Sequence, residues 1–105
     1  MIKKPLEVCY DFSLVIPTIK ERRREIHDLL RHLLHAREKP AEVLVVTDVN
    51  NGLSFFDEMR RRYSEEGVRL KFLTTPEQSS SGGMRNFGIL NASGQYVLFL
   101  DDDVL

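Results

Sequence analysis

Three consecutive carboxylates, Asp101-Asp102-Asp103, directly follow an apolar run over residues 96–100. A short, continuous apolar run is typical of a strand buried on both faces of a parallel sheet. Ligands of such sheets bind in the crevice beyond the carboxyl ends of the strands. Carboxylate oxygens are preferred ligands of hard divalent cations, which also bind phosphate groups. The pattern therefore predicts a Mg²⁺ or Mn²⁺ site that handles phosphates, with an Asp-rich turn or helix cap as the alternative.

Other polar residues follow the other predicted strands and would reach the same edge of the sheet. Pro17 and Thr18 follow the first strand, and Asp48 follows the second. Asp48 could accept a hydrogen bond from an N–H on a nucleotide base, although the segment around it is also a good turn. Arg85 follows two glycines in the first turn of a predicted helix, where the helix N-terminus favours anions. It could reach a base carbonyl or a phosphate, or it could have a surface role only.

The elements that must position these residues alternate strictly between strand and helix. Apolar and β-branched runs predict strands, and apolar residues spaced by three and four predict amphipathic helices. Strand–helix alternation with connections of this length requires right-handed crossovers and a parallel sheet. We therefore predict an α/β, Rossmann-like parallel sheet of about four strands with helices on both faces. The expected strands are residues 13–16, 42–47, 68–73 and 95–100, and the expected helices are 20–37, a helix capped by Ser54 that ends near Gly67, and 83–92 with Gly94 as its C-cap.

Length and composition restrict the class of protein. The 105 residues suffice for one domain, and a net charge of −1 gives no electrostatic reason to expect nucleic acid or an anionic membrane surface as a partner. No apolar run approaches the roughly 18 residues that a membrane span requires. The single cysteine, Cys9, excludes an internal disulfide and fits a reducing compartment, so a cytoplasmic location is expected.

Four motifs follow one another along the chain. They are Leu14-Val15-Ile16-Pro17-Thr18, Glu42-Val43-Leu44-Val45-Val46-Thr47-Asp48, Gly83-Met84-Arg85-Asn86-Phe87-Gly88 and Gly94-Gln95-Tyr96-Val97-Leu98-Phe99-Leu100-Asp101-Asp102-Asp103. Each motif alone is weak, but in this order and at these separations they resemble the nucleotide-binding half of a GT-A-fold glycosyltransferase of the family-2 type. The resemblance covers about residues 12 to 105, nearly the whole chain.

The resemblance implies a nucleotide-sugar donor, most often a UDP-sugar. It places Pro17 and Thr18 beside the nucleoside, Asp48 on the uracil edge, and Arg85-Asn86 near the base or the diphosphate. The Asp-x-Asp motif of the family maps onto Asp101-Asp102-Asp103. Within it, Asp103 and Asp101 would bind the Mg²⁺ or Mn²⁺ that bridges the diphosphate, and Asp102 would face the ribose. Such a cation would neutralise the charge that develops on the leaving diphosphate.

The chain departs from the family pattern in two places. Ile19-Lys20 replaces the usual Tyr-Asn after Pro-Thr, which removes an aromatic contact to the base. Thr47-Asp48-Val49-Asn50 replaces the common Asp-Asp-Gly-Ser, so only the second acid is kept. These differences concern the identity of the base and the affinity for it more than they concern the fold.

The resemblance also predicts what the chain lacks. Residues 1–105 would form a single donor-binding domain that ends just after the Asp-x-Asp motif, so no catalytic residue is assigned and the acceptor (sugar, lipid or protein) stays open. One alternative is a stand-alone nucleotide- and metal-binding module without transferase activity. Another is a different α/β domain, such as a receiver-like one, whose acids bind Mg²⁺ for another reaction. An uncovered edge of the last strand further predicts homo-oligomers.

Overall fold

The described residues of the protein form a four-stranded parallel sheet with three helices. This computed structural model describes residues 12–18, 23–47, 57–75 and 81–101. Within these ranges the strands run in the order β3-β2-β1-β4, and every neighbouring pair is parallel. The predicted α/β class and the four-stranded parallel sheet are confirmed. The strands are β1 (Phe12–Pro17), β2 (Glu42–Thr47), β3 (Arg69–Thr74) and β4 (Tyr96–Phe99), and the helices are α1 (Arg23–Leu34), α2 (Asp57–Glu65) and α3 (Ser81–Asn91).

Helices cover both faces of the sheet, as predicted. Helices α1 and α2 pack against one face, which presents alternate apolar side chains of β1, β2 and β3. Helix α3 packs against the other face, where Met84 is buried against Val15, Leu44 and Val46. The central strand β2 is buried along its whole length, because it has strand neighbours on both sides and helices above and below. None of the helices in the described ranges has the length and apolar character needed to cross a membrane.

The end of α2 follows from its sequence. Gly67 has a φ of +79°, a left-handed conformation that glycine adopts without steric cost. The N–H of Val68 donates to the carbonyl of Tyr63 at 3.0 Å, and the N–H of Gly67 donates to Ser64 at 3.0 Å. This pattern is a Schellman motif, so the predicted stop near Gly67 is confirmed. The predicted cap at Ser54 lies outside the described residues.

A tyrosine joins the two helices of the first face. The hydroxyl of Tyr63 in α2 donates to the carbonyl of Leu30 in α1 at 2.7 Å. The ring is buried, and burial raises the pKa of the Tyr63 hydroxyl because it disfavours the phenolate. Tyr63 therefore fills the core and also satisfies its own polar atom.

Gly94 has a different role from the one predicted. Within the described residues only Gly67 has a positive φ, so Gly94 is not a left-handed cap. A Cβ on Gly94 would lie 2.6 Å from the Oγ of Ser13 and 2.7 Å from its backbone nitrogen. The N–H of Gly94 donates to that same Oγ at 2.8 Å. Glycine is required here because the chain passes directly against β1 on its way into β4.

A buried carboxylate lies at the amino end of the sheet. Glu42, the first residue of β2, is fully buried and accepts hydrogen bonds from the Oγ of Ser13 at 2.7 Å and from the N–H of Ser93 at 2.6 Å. The Nζ of Lys71 lies 3.2 Å from it, and the guanidinium of Arg69 lies 3.5 Å away. Burial alone would raise the pKa of Glu42, but the donors outweigh burial and lower it from 4.5 to about 2. The ionised carboxylate therefore connects three strands to the α3–β4 connection.

Strand β4 has the apolar run that is typical of a strand buried on both faces, yet its side chains are exposed, as the predicted uncovered edge of the last strand requires. It spans only Tyr96–Phe99 and lies at the edge of the described sheet. The exposed fractions are 56% for Tyr96, 51% for Leu98 and 43% for Phe99. The apolar run resembles that of a core strand. However, the buried strand residues of the core on the α1–α2 face come from β1, β2 and β3, and β4 lies beyond that core.

Gly88→Ala tests how closely α3 must approach the sheet. A Cβ on Gly88 would lie 2.5 Å from the Cγ1 of Val15, so we expect a loss of about 1–3 kcal/mol in the free energy of unfolding. Helix propensity alone would give the opposite sign, a gain of about 1 kcal/mol. Urea unfolding measures the change. The double variant Val15→Ala/Gly88→Ala should lose less than the sum of the single variants, and strict additivity would contradict the close approach.

The pH dependence of unfolding tests the buried carboxylate. Because the folded pKa of Glu42 is lowered, its contribution is present above the unfolded value of 4.5 and is lost as the pH falls toward about 2. We expect this contribution to be on the order of 3 kcal/mol. The difference in unfolding free energy between the parent and Glu42→Gln should shrink over that window. The control Glu38→Gln, at an exposed site, should follow the parent, and an equal slope for Glu42→Gln would contradict the assignment.

Candidate functional site at the carboxyl ends of the strands

Buried threonines follow or end three neighbouring strands at the carboxyl edge of the sheet. Thr18 follows β1, Thr47 ends β2 and Thr75 follows β3, and all three are buried. The N–H of Thr18 donates to Val46 at 2.9 Å, and the N–H of Thr75 donates to Thr47 at 2.9 Å. The backbone ladders thus continue one residue beyond β1 and β3. Thr47 and Thr75 were missed by the sequence analysis, which had treated them as parts of a strand and a loop.

Pro17 removes one donor from the pairing of β1 with β4. Val15 accepts a hydrogen bond from the N–H of Leu100 at 3.0 Å, so residues 15 and 17 face β4 in the alternating parallel pattern. Proline has no N–H, so position 17 cannot donate to the carbonyl of Leu100. Within the described residues, the bond from Leu100 is the last one between β1 and β4, and Asp101 follows it at the carboxyl edge. This backbone role is separate from the nucleoside contact that the resemblance implies for Pro17.

Arg85 and Asp101 are brought together, although they are 16 residues apart. Arg85 lies in the first half of α3, and its guanidinium is 3.4 Å from the Oδ1 of Asp101. The same guanidinium lies 5.9 Å from the centroid of the Phe99 ring. The two charged side chains are 39% and 64% exposed, so the ion pair contributes no more than about 1 kcal/mol. Phe99, missed as a site residue, is the apolar surface beneath the guanidinium.

The remaining predicted site residues separate into two groups. Asn86 is exposed on α3, and it points about 100° away from Arg85 around the helix axis because it is the next residue. The two side chains therefore do not share one direction. Asp48, Asp102 and Asp103 lie outside the described residues, so their roles stay predictions.

Asp101 is an acidic side chain that the described part of this edge offers to a cation. Asp101 supplies exposed carboxylate oxygens, which suit a hard cation such as Mg²⁺ or Mn²⁺. Among the residues that the structure describes, no three His, Cys, Asp or Glu side chains form a group that could hold a metal ion. The chemistry of Asp101 fits the implied cation, and further ligands would have to come from Asp102 and Asp103, which follow it in the sequence.

The strongly shifted pKa of Glu42 belongs to the opposite edge. Perturbed pKa values often accompany functional sites. The causes at Glu42 are burial and donors from within the chain, namely Ser13, Ser93 and Lys71. We therefore assign Glu42 to the fold and place the candidate site at the carboxyl edge, around Thr18, Arg85 and Asp101.

Solved structures of S. aureus TarS share this fold. The crystal structure of S. aureus TarS is 28% identical over 89% of this chain, with a TM-score of 0.70. Structures of TarS 1-349 in complex with UDP-GlcNAc and with UDP are 29% identical over 89% of this chain, with TM-scores of 0.67. This chain covers 16% of the TarS chain and 26–27% of the two 1-349 chains. A search of curated proteins found no match.

The family comparison agrees with the structural one. The profile described as Glycosyl transferase family 2 matches residues 13–105, from the first strand through all three acids. The match includes each of the four motifs that carried the resemblance in the sequence. The chain therefore belongs to glycosyl transferase family 2.

Proposed function

We propose that this chain binds a nucleotide-sugar donor, specifically a UDP-sugar, as the donor-binding part of a metal-dependent glycosyltransferase. The observation that supports this most directly is the likeness to TarS 1-349, whose structures contain UDP-GlcNAc and UDP, at 29% identity over 89% of this chain. The carboxyl edge adds a cationic side chain, Arg85, beside an exposed carboxylate, Asp101. Open parallel sheets bind nucleotides at this edge.

In this proposal, different residues of the carboxyl edge bind different parts of the donor. Pro17, Thr18 and Asp48 line the nucleoside end, with Asp48 accepting a hydrogen bond from the N–H of uracil. Arg85 and Asn86 stand in the helix whose N-terminal half reaches the edge, so the positive end of the α3 dipole faces the diphosphate. Thr75, held at the edge by its hydrogen bond to Thr47, borders the same crevice.

The acids that follow β4 supply the negative side of the site. Asp101 and Asp103 would hold Mg²⁺ or Mn²⁺, and Asp102 would accept a hydrogen bond from the ribose. The bound cation would act as a Lewis acid toward the diphosphate. Asp101 can serve there because it lies just beyond Leu100 at the carboxyl edge and its side chain is exposed.

The other half of the reaction is not assigned to these residues. Sugar transfer needs an acceptor site and a catalytic base, and we propose neither within this chain. The chain spans about a quarter or less of the TarS chains that it matches. The acceptor stays open, and the cytoplasmic location predicted from the single cysteine stays a prediction.

Calorimetry of UDP and UDP-GlcNAc binding tests the proposed function. We expect Mn²⁺ to strengthen binding to the parent chain and Asp103→Ala to weaken Mn²⁺-dependent binding by about 10- to 100-fold, the size of one charge-assisted contact. The control Glu38→Ala removes an exposed acid that precedes β2 at the amino end of the sheet. It should bind like the parent. The proposal fails if the parent shows no binding of UDP at about 1 mM ligand with Mn²⁺ present, a free energy of about −4 kcal/mol.

Self-association through β4 is a second expected property. Tyr96, Leu98 and Phe99 are each about half exposed on the edge strand, and an uncovered apolar edge favours pairing between chains. We expect the sedimentation coefficient to rise with protein concentration. Leu98→Lys should suppress this rise, because charged residues on an edge strand oppose pairing. Leu90→Lys, at an exposed apolar residue on α3, is the matched control, and equal suppression by both variants would argue against the strand edge.

A further inference from the structure

Arg85 contacts the last residue of β4 and a residue that follows the strand. Its guanidinium carbon lies 5.9 Å from the centroid of Phe99, the last residue of β4. One of its terminal nitrogens lies 3.4 Å from the Oδ1 of Asp101, two residues later. The guanidinium thus spans the point at which the chain stops being part of the sheet. The resemblance to the family placed this arginine near the base or the diphosphate instead.

Both ends of this contact are constrained by the backbone. On the helix side, Gly88 lies one turn after Arg85 and lets α3 press against Val15, so the helix cannot slide away without losing the buried Met84. On the strand side, Leu100 is the last of the described residues that bonds to β1. Asp101 follows this bond, and the side-chain partner that the structure records for it in the described residues is Arg85.

We propose that Arg85 is a positioning residue that acts on the donor site through Asp101. In this view, Arg85 holds the first carboxylate of the acidic triplet at the carboxyl edge before the cation and the diphosphate arrive. The inference rests on the proposed function and changes one detail of it, since Arg85 serves cation-dependent binding without contacting the nucleotide. The contact uses Oδ1 of Asp101, and a carboxylate has a second oxygen for a cation.

The magnitude of such an effect is modest and measurable. Exposed ion pairs and exposed cation–π contacts each shift an equilibrium by up to about fivefold. Loss of both contacts should therefore reduce the Mn²⁺-dependent gain in UDP affinity by about 3- to 10-fold. It should leave UDP affinity without Mn²⁺ within about twofold, because long-range charge effects are screened over about 8 Å at physiological salt.

The experiment is calorimetry of UDP binding to the full chain, with and without Mn²⁺, on the parent, Arg85→Met, Asp101→Asn and the double variant. If Arg85 acts through Asp101, Arg85→Met loses affinity only with Mn²⁺, and the double variant is no weaker than the weaker single variant. Arg85→Lys should recover part of the loss because it keeps the charge. Arg31→Met, at an exposed position on α1, is the matched control and should bind like the parent.

The opposite result is equally clear. If Arg85→Met weakens UDP binding equally with and without Mn²⁺, and its effect adds to that of Asp101→Asn, Arg85 contacts the nucleotide and the inference is wrong. A parent chain that binds no UDP under either condition would instead overturn the proposed function, and the inference with it. Urea unfolding of each variant confirms that the compared proteins are folded, so that a loss of binding is not a loss of structure.

Discussion

The buried carboxylate of Glu42 is the interaction on which the arrangement of the sheet depends. A charge without water is costly unless donors surround it, and here Ser13, Ser93 and Lys71 supply them. These donors come from β1, from β3 and from the connection into β4. The Oγ of Ser13 also accepts a hydrogen bond from the N–H of Gly94. This bond fixes the register in which the chain enters β4 beside β1. The pairing of Phe12 with Tyr96 follows.

The positions of residues at the opposite, carboxyl edge follow from that register. Because the register is fixed where β4 begins, the last described residue that bonds to β1 is Leu100, near the end of β1 at Pro17. Asp101, the first of the three acids, directly follows the last β1–β4 hydrogen bond among the described residues. Helix α3 arrives at the same place because Gly88 lets it lie directly on Val15, which brings Arg85 over Phe99. The buried carboxylate of Glu42 and the proposed ligand site thus lie at opposite ends of the same parallel strands.

Local patterns predicted most of the fold but not where each element lies in the sheet. The β2 boundaries, 42–47, match because a β-branched run between polar residues has one interpretation. The apolar run of β4 does not by itself separate an edge strand from a centre strand, and its exposed side chains follow from its place at the edge of the described sheet. Gly94 was read as a cap because its actual constraint, Ser13, is 81 residues away. Arg85 and Asp101 were both predicted, yet their contact with each other depends on how α3 packs.

The missing N–H of Pro17 has one more consequence for this family member. Each step of a parallel ladder needs an N–H from one strand and a carbonyl from the other. Position 17 supplies no N–H to the carbonyl of Leu100, whatever side chains follow. Substitutions at the proposed ligands Asp101, Asp102 and Asp103 would neither supply nor remove that donor. This feature of the strand edge is therefore independent of which acids follow it.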